Sequence, residues 1–157
     1  MYQRILLPLD SSDLAEAAIP HAQAAALAYG AAIHLLQILD PADLSSPILR
    51  HTIERIGNLQ EPDRSAALEG WRQAAEAYLT HVADQLRDAG VTAVTTRVAE
   101  GNPYTMITQE AVDQACDFVV IATNGRSGLG RAVMGSVADH VVRNTPSAAV
   151  LVVRPKA

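Results

Sequence analysis

Two kinds of apolar segment alternate along the chain. Short continuous runs suit strands buried on both faces, and longer stretches in which apolar residues return every three or four positions suit amphipathic helices. The pattern predicts a first strand over Arg4 to Leu9, with Pro8 near the point where it leaves the sheet. Ser11, Ser12 and Asp13 are N-cap residues, and the alanine-rich Leu14 to Tyr29 follows as one helix closed by Gly30. Ile33 to Leu39, "IHLLQIL", reads as a second strand ended by Asp40-Pro41. Residues 41–64 carry three prolines and scattered polar residues, and predict a long irregular connection of a kind that is often functional. Ser65 to Asp88 is a helix closed at Gly90, and Val94 to Val98 a third strand. Asn102 caps a helix with Pro103 in its first turn, on which Ile107, Ala111 and Ala115 share a face. Phe118 to Thr123 is a fourth strand, a helix runs from Gly135-Ser136 to about Asn144, and Ala148 to Arg154 is the last strand.

This βαβαβαβαβ order predicts an α/β fold: one doubly wound parallel sheet with helices on both faces and right-handed crossovers. No internal repeat, low-complexity segment or second domain interrupts it, so residues 1–157 are expected to form one domain.

Composition narrows the classes. Of 157 residues, 49% are apolar and 18% charged, an ordinary globular balance. The net charge of -5 argues against a nucleic-acid binder, which usually carries a basic face. No apolar run approaches the ~20 residues needed to span a bilayer, so no membrane partner is expected. "MYQRILLPLD" reaches Pro8 and Asp10 too early for a signal-peptide core. Cys116 is the only cysteine, which fits a reducing cytoplasm.

The chemistry gathers in Ala122 to Ser136, "ATNGRSGLGRAVMGS", between the fourth strand and the next helix. Its glycines do not form a Gly-x-Gly-x-x-Gly fingerprint. Gly130 to Ser136 imitates the opening of a P-loop but lacks the lysine that reaches the outer phosphates. What remains is a backbone cradle: glycines allow N–H groups to approach an anion, and Gly135-Ser136 stands at a helix N-terminus. In an open parallel sheet the ligand lies beyond the C-terminal strand ends, where strand order reverses. "PLDSSD" and the glycine loop are both expected there.

These residues resemble the universal stress protein family. Its nucleotide-binding members carry Gly-x-x-Gly, nine residues, then Gly and Ser or Thr. This chain has Ala122-Thr123-Asn124-Gly125, nine residues, then Gly135-Ser136, so it departs at the first glycine. "ILLPLD", "VAEGNP" and "PSAAVLVVRP" resemble other family segments, and the likeness covers all but residues 41–64. The resemblance implies a flavodoxin-like strand order of 3-2-1-4-5. It implies a homodimer, which the edge position of the last strand, Ala148 to Val153, would explain. It also implies ATP or a related adenine nucleotide, with or without Mg2+, between strands one and four. Carried over by position, Pro8, Leu9 and Asp10 border the adenosine, and Ile38 packs on the adenine. Ile121 and Ala122 flank the ribose side, and Gly125, Gly135, Ser136 and Val137 hold the phosphates.

Each role has a plainer counterpart. Asp10 either caps the first helix or accepts from ribose hydroxyls. Arg126 and Arg131 either reach phosphates or are solvated, Gly128 and Gly130 shape a turn, and Gly135-Ser136 also starts a helix. His21, His34, His51, His81 and His140 show no metal-ligand spacing. Trp71 and Cys116 read as packing residues. The expected function is a binding or signalling module in stress response. A nucleotide-free interaction protein of the same fold is the alternative. A slow ATPase is less favoured, because the parts needed for phosphoryl transfer are missing from the motif.

Overall fold

The computed structural model describes residues 1–40, 61–123 and 134–155, with backbone alone at 61–64 and 67. Along the chain stand β1 (Arg4–Leu9), α1 (Asp13–Glu16), α2 (Ile19–Tyr29), β2 (Ala32–Leu39) and α3 (Glu61–Asp88). They are followed by β3 (Val94–Glu100), α4 (Pro103–Asp113), β4 (Phe118–Ala122), α5 (Ser136–Asn144) and β5 (Ala149–Val153). The strands form one parallel sheet in the order β3-β2-β1-β4-β5, as the alternation and the resemblance predict.

Consecutive strand residues point to opposite faces, so each central strand feeds two cores. Ile5, Leu7, Leu9, Leu35 and Val120 pack beneath α1, α2 and α3, where Ala22, Leu79 and Val82 meet them. Leu6, Leu36, Val119 and Ile121 face Ile107 and Ala111 of α4 and Ala138 and Val141 of α5. Leu6 pairs with His34 on one side and Val119 on the other, which places β1 at the centre.

Three helix boundaries differ from expectation: α4 ends at Asp113, short of Ala115, which is left-handed with φ 50, and the other two lie at prolines. Leu14 to Tyr29 is two helices. Pro20 has no N–H to offer the Glu16 carbonyl, and its ring crowds that carbonyl. The chain instead closes α1 with short bonds from Ala17 to Leu14 and from Ala18 to Ala15, then restarts. Conversely, residues 61–64 are not part of an irregular connection, because α3 begins at Glu61. Pro62 falls in the first turn, where a missing N–H costs nothing. The rest of that expected connection, 41–60, lies outside the described residues.

A polar cluster centred on the buried Glu110 and His34, with Thr95 and Arg97 at its exposed rim, ties α4 to the sheet. Glu110, 2% exposed, accepts from His34 Nε2 at 2.8 Å and from Arg97 Nη1 at 2.6 Å, and His34 Nδ1 meets Thr95 Oγ1 at 2.7 Å. The carboxylate is thereby paired on both oxygens, as burial of a charge requires.

Candidate functional site

Because all strands are parallel, their C-terminal ends share one edge of the sheet. The chain winds outward from β1 through β2 to β3, then reverses to β4 and β5. The switch point therefore lies between β1 and β4. A cleft of about 210 Å³ opens there, a little under the roughly 300–1,000 Å³ usual for small-ligand sites.

Seven of the expected site residues line this cleft: Pro8, Leu9 and Asp10 from the end of β1, Ile38 from β2, Ile121 and Ala122 from β4, and Val137 from α5. Gly135 and Ser136 adjoin Val137 at the start of α5. Gly125 and Arg126, with Gly128, Gly130 and Arg131, lie outside the described residues. The sequence reading missed Ser12, Ala15, Leu36 and Asp40, and also Pro103 and Ile107, by which α4 forms a wall. Ile107 had carried a signal as a core position; its rim role depends on how α4 crosses the sheet.

The loop after β1 is held locally. Asp10 Oδ1 accepts from the Ser12 N–H at 3.0 Å and from the Ser12 hydroxyl, and Ser12 Oγ accepts from the Ala15 N–H at 3.1 Å. Ser12, rather than Asp10, is thus the cap of α1, and Asp10 orients the cap. Between them Ser11 is left-handed, with φ 63, a conformation disfavoured for a residue with a Cβ. Gln37, buried on β2, donates to Ser11 Oγ at 3.1 Å and ties the loop to its neighbour strand. On α3, burial and then the charges of Glu16 and Asp10 push the Tyr78 phenol above its ordinary range, so it stays protonated.

At the opposite rim, Ser136, Val137 and Ala138 open α5, and their N–H groups have no acceptor within the helix. The Gly135 N–H, in contrast, donates to Thr123 Oγ1 at 2.8 Å. Thr123 is 4% exposed, and a Cβ at position 135 would overlap its hydroxyl oxygen. Gly135 therefore has a protein neighbour that already demands close backbone approach. The Tyr104 hydroxyl donates to Ser136 Oγ at 2.9 Å.

Fold and site together define an α/β protein with a cleft at its switch point, where open parallel sheets place their ligands. The universal stress protein family model matches residues 1–154, and the chain belongs to that family. It is 28% identical over 156 residues to universal stress protein MJ0531 of Methanocaldococcus jannaschii, covering 99% of this chain and 85% of the relative. The solved structure of MJ0577, from the same organism, superposes with a TM-score of 0.76 at 25% identity, covering 100% of this chain and 99% of that one. Two more distant structures share the fold. A universal stress protein in complex with cAMP has a TM-score of 0.67 at 23% identity, covering 98% and 97% of the two chains. One from Archaeoglobus fulgidus in complex with dAMP has 0.60 at 17%, covering 96% and 97%.

Proposed function

We propose that this chain binds an adenine nucleotide in the β1/β4 cleft, with ATP, with or without Mg2+, as its physiological ligand. It would act as a binding or signalling module in stress response. The observation that carries the reading is the convergence of seven expected site residues, from four separate elements, on one cleft. Their chemistry suits the ligand. Ile38 and Ile121 offer apolar surface to an adenine. Asp10 offers a carboxylate oxygen to ribose hydroxyls, and the amides opening α5 offer donors and a partial positive charge to phosphates. The relatives solved with cAMP and dAMP support an adenine ligand class.

The same reading has the protein working in the cytoplasm as a homodimer through β5. The two sheet edges support this by their contrast. β3 exposes Thr95, Thr96 and Arg97, which blunt an edge. β5 is "AVLVV" throughout, with Leu151 37% exposed. Pairing with its own copy would cover it.

One observation favours a second reading, a nucleotide-free interaction protein. Thr123 already occupies the Gly135 amide, so that glycine has a reason to be there without any phosphate. Mass spectrometry of small molecules released from the purified, denatured protein separates the two, together with calorimetric titration of ATP with magnesium. ATP released intact, or a saturable heat of binding, is the expected result. No co-purified nucleotide and no heat would establish the second reading instead.

A further inference from the structure

Tyr104 does not line the cleft. It is the second residue of α4, and its position is tightly set. Asn102 accepts the Tyr104 N–H at 2.9 Å, and Pro103 holds the first helical position. The ring stands edge-on to His140 of α5, with centroids 5.6 Å apart and planes at 83°. The hydroxyl then donates to Ser136 Oγ. The chain neighbours of this pair, Pro103 and Val137, both line the cleft.

A serine hydroxyl has one proton to donate and two lone pairs to accept with. Tyr104 fills one lone pair of Ser136. The serine proton is then turned away from Tyr104, and Ser136 is exposed beside the cleft. Hydrogen bonds in such a chain polarise one another, so a Tyr–Ser pair is a better donor to an anion than serine alone.

We infer that Tyr104 is a positioning residue for the phosphate end of the site. By donating to Ser136 it aims the serine proton at a phosphoryl oxygen, and so favours phosphorylated over unphosphorylated adenosine. The inference rests on the nucleotide reading above and assigns a residue outside the motif that suggested that reading.

A simple strut between α4 and α5 would also use this hydrogen bond, so the test must split the two roles. ATP and adenosine are titrated calorimetrically into wild type, Tyr104→Phe, Ser136→Ala and the double variant. Urea unfolding of each confirms that the fold is retained. Tyr104→Phe should weaken ATP about fivefold to tenfold, where tenfold is ~1.4 kcal/mol, and change adenosine less than about twofold. In the Ser136→Ala background the same substitution should do nothing further to ATP, because the hydroxyl it orients is gone. Equal losses for ATP and adenosine would overturn the inference in favour of the strut. Unchanged ATP affinity in Tyr104→Phe, or additive losses in the double variant, would overturn it too. Wild type that binds neither ligand would overturn the nucleotide reading itself, and this inference with it.

Discussion

Gly135 offers a quantitative test of what a motif glycine is for. Its φ of -59 and ψ of 148 are open to any residue, so Gly135→Ala carries no backbone strain. In this it differs from Gly30 and Gly90, whose φ values of 66 and 99 favour glycine for conformational reasons. The cost at 135 is steric. A methyl group would overlap Thr123 Oγ1, and the buried hydroxyl would have to rotate away, leaving the Gly135 N–H without its acceptor. Orphaning a donor costs ~1–3 kcal/mol where it is buried, and this amide is part-buried. Thr123→Ala orphans the same N–H by another route and should cost about the same. In the double variant there is no oxygen to displace. The next atom near the new methyl is the Cβ of residue 123 at 3.7 Å, an ordinary contact. The double variant should therefore cost about as much as Thr123→Ala alone, a coupling of ~1–3 kcal/mol instead of a sum. Urea unfolding at fixed pH measures all four proteins, with stability taken from midpoints at constant m. Costs that add within ~0.5 kcal/mol would refute the shared contact as the reason for glycine.

Three further outcomes are expected. Glu110→Ala leaves the buried His34 without its carboxylate partner while the half-exposed Arg97 stays solvated, and should destabilise by ~1–3 kcal/mol, the range for an unsatisfied buried polar group; no measurable loss would mean that water or a neighbour replaces it. Burial pushes the Cys116 thiol up to about 11, so it is neutral in the folded protein at pH 8 and should react with iodoacetamide mainly through unfolding. An unfolded thiol ionises near 9, so the raised folded value contributes stability that is full below pH 9 and is lost as pH rises toward 11. Rapid labelling at pH 8 by native protein, or stability that rises over that alkaline window, would contradict this. Leu151→Arg places a charge on the exposed β5 edge and should shift sedimentation velocity from dimer to monomer while far-ultraviolet circular dichroism is unchanged. A dimer that survives the substitution would place the interface elsewhere.

Much of the fold was legible in the sequence, because each strand of a doubly covered sheet declares itself as an apolar run. What misled was proline. Apolar periodicity carries one helix straight through Pro20, and scattered polar residues put Pro62 in an irregular connection. In the structure Pro20 splits α1 from α2, and Pro62 sits in the first turn of α3. The same chemistry acts in both cases, a missing N–H and a fixed φ, and only the position within the turn decides the result. The cleft was legible to the extent that parallel strands must end on one edge. Pro8 and Asp10, within "PLDSSD", follow from that rule, whereas Ile38 and Ile121 come with the family resemblance.

What escaped is whatever depends on how distant elements close against each other. His34 and Glu110 lie 76 residues apart and pair across the β2–α4 packing, which no local periodicity records. Thr123 reads as the last residue of a strand, yet its hydroxyl oxygen accepts the N–H of Gly135, 12 residues further along the chain. The Gly-Ser spacing did carry true information: at position 135 the backbone has to come close to something. A motif expresses that need without naming the partner, since a phosphate oxygen and a threonine oxygen ask the same thing of a glycine. Thr123 meets the need in the folded chain itself. A nucleotide bound as proposed would then be held by the next amides, Ser136 and Val137, and by the hydroxyl that Tyr104 is proposed to orient. On that proposal the discriminating chemistry would lie one residue beyond the glycine, at Ser136, because the Gly135 amide is already taken by Thr123.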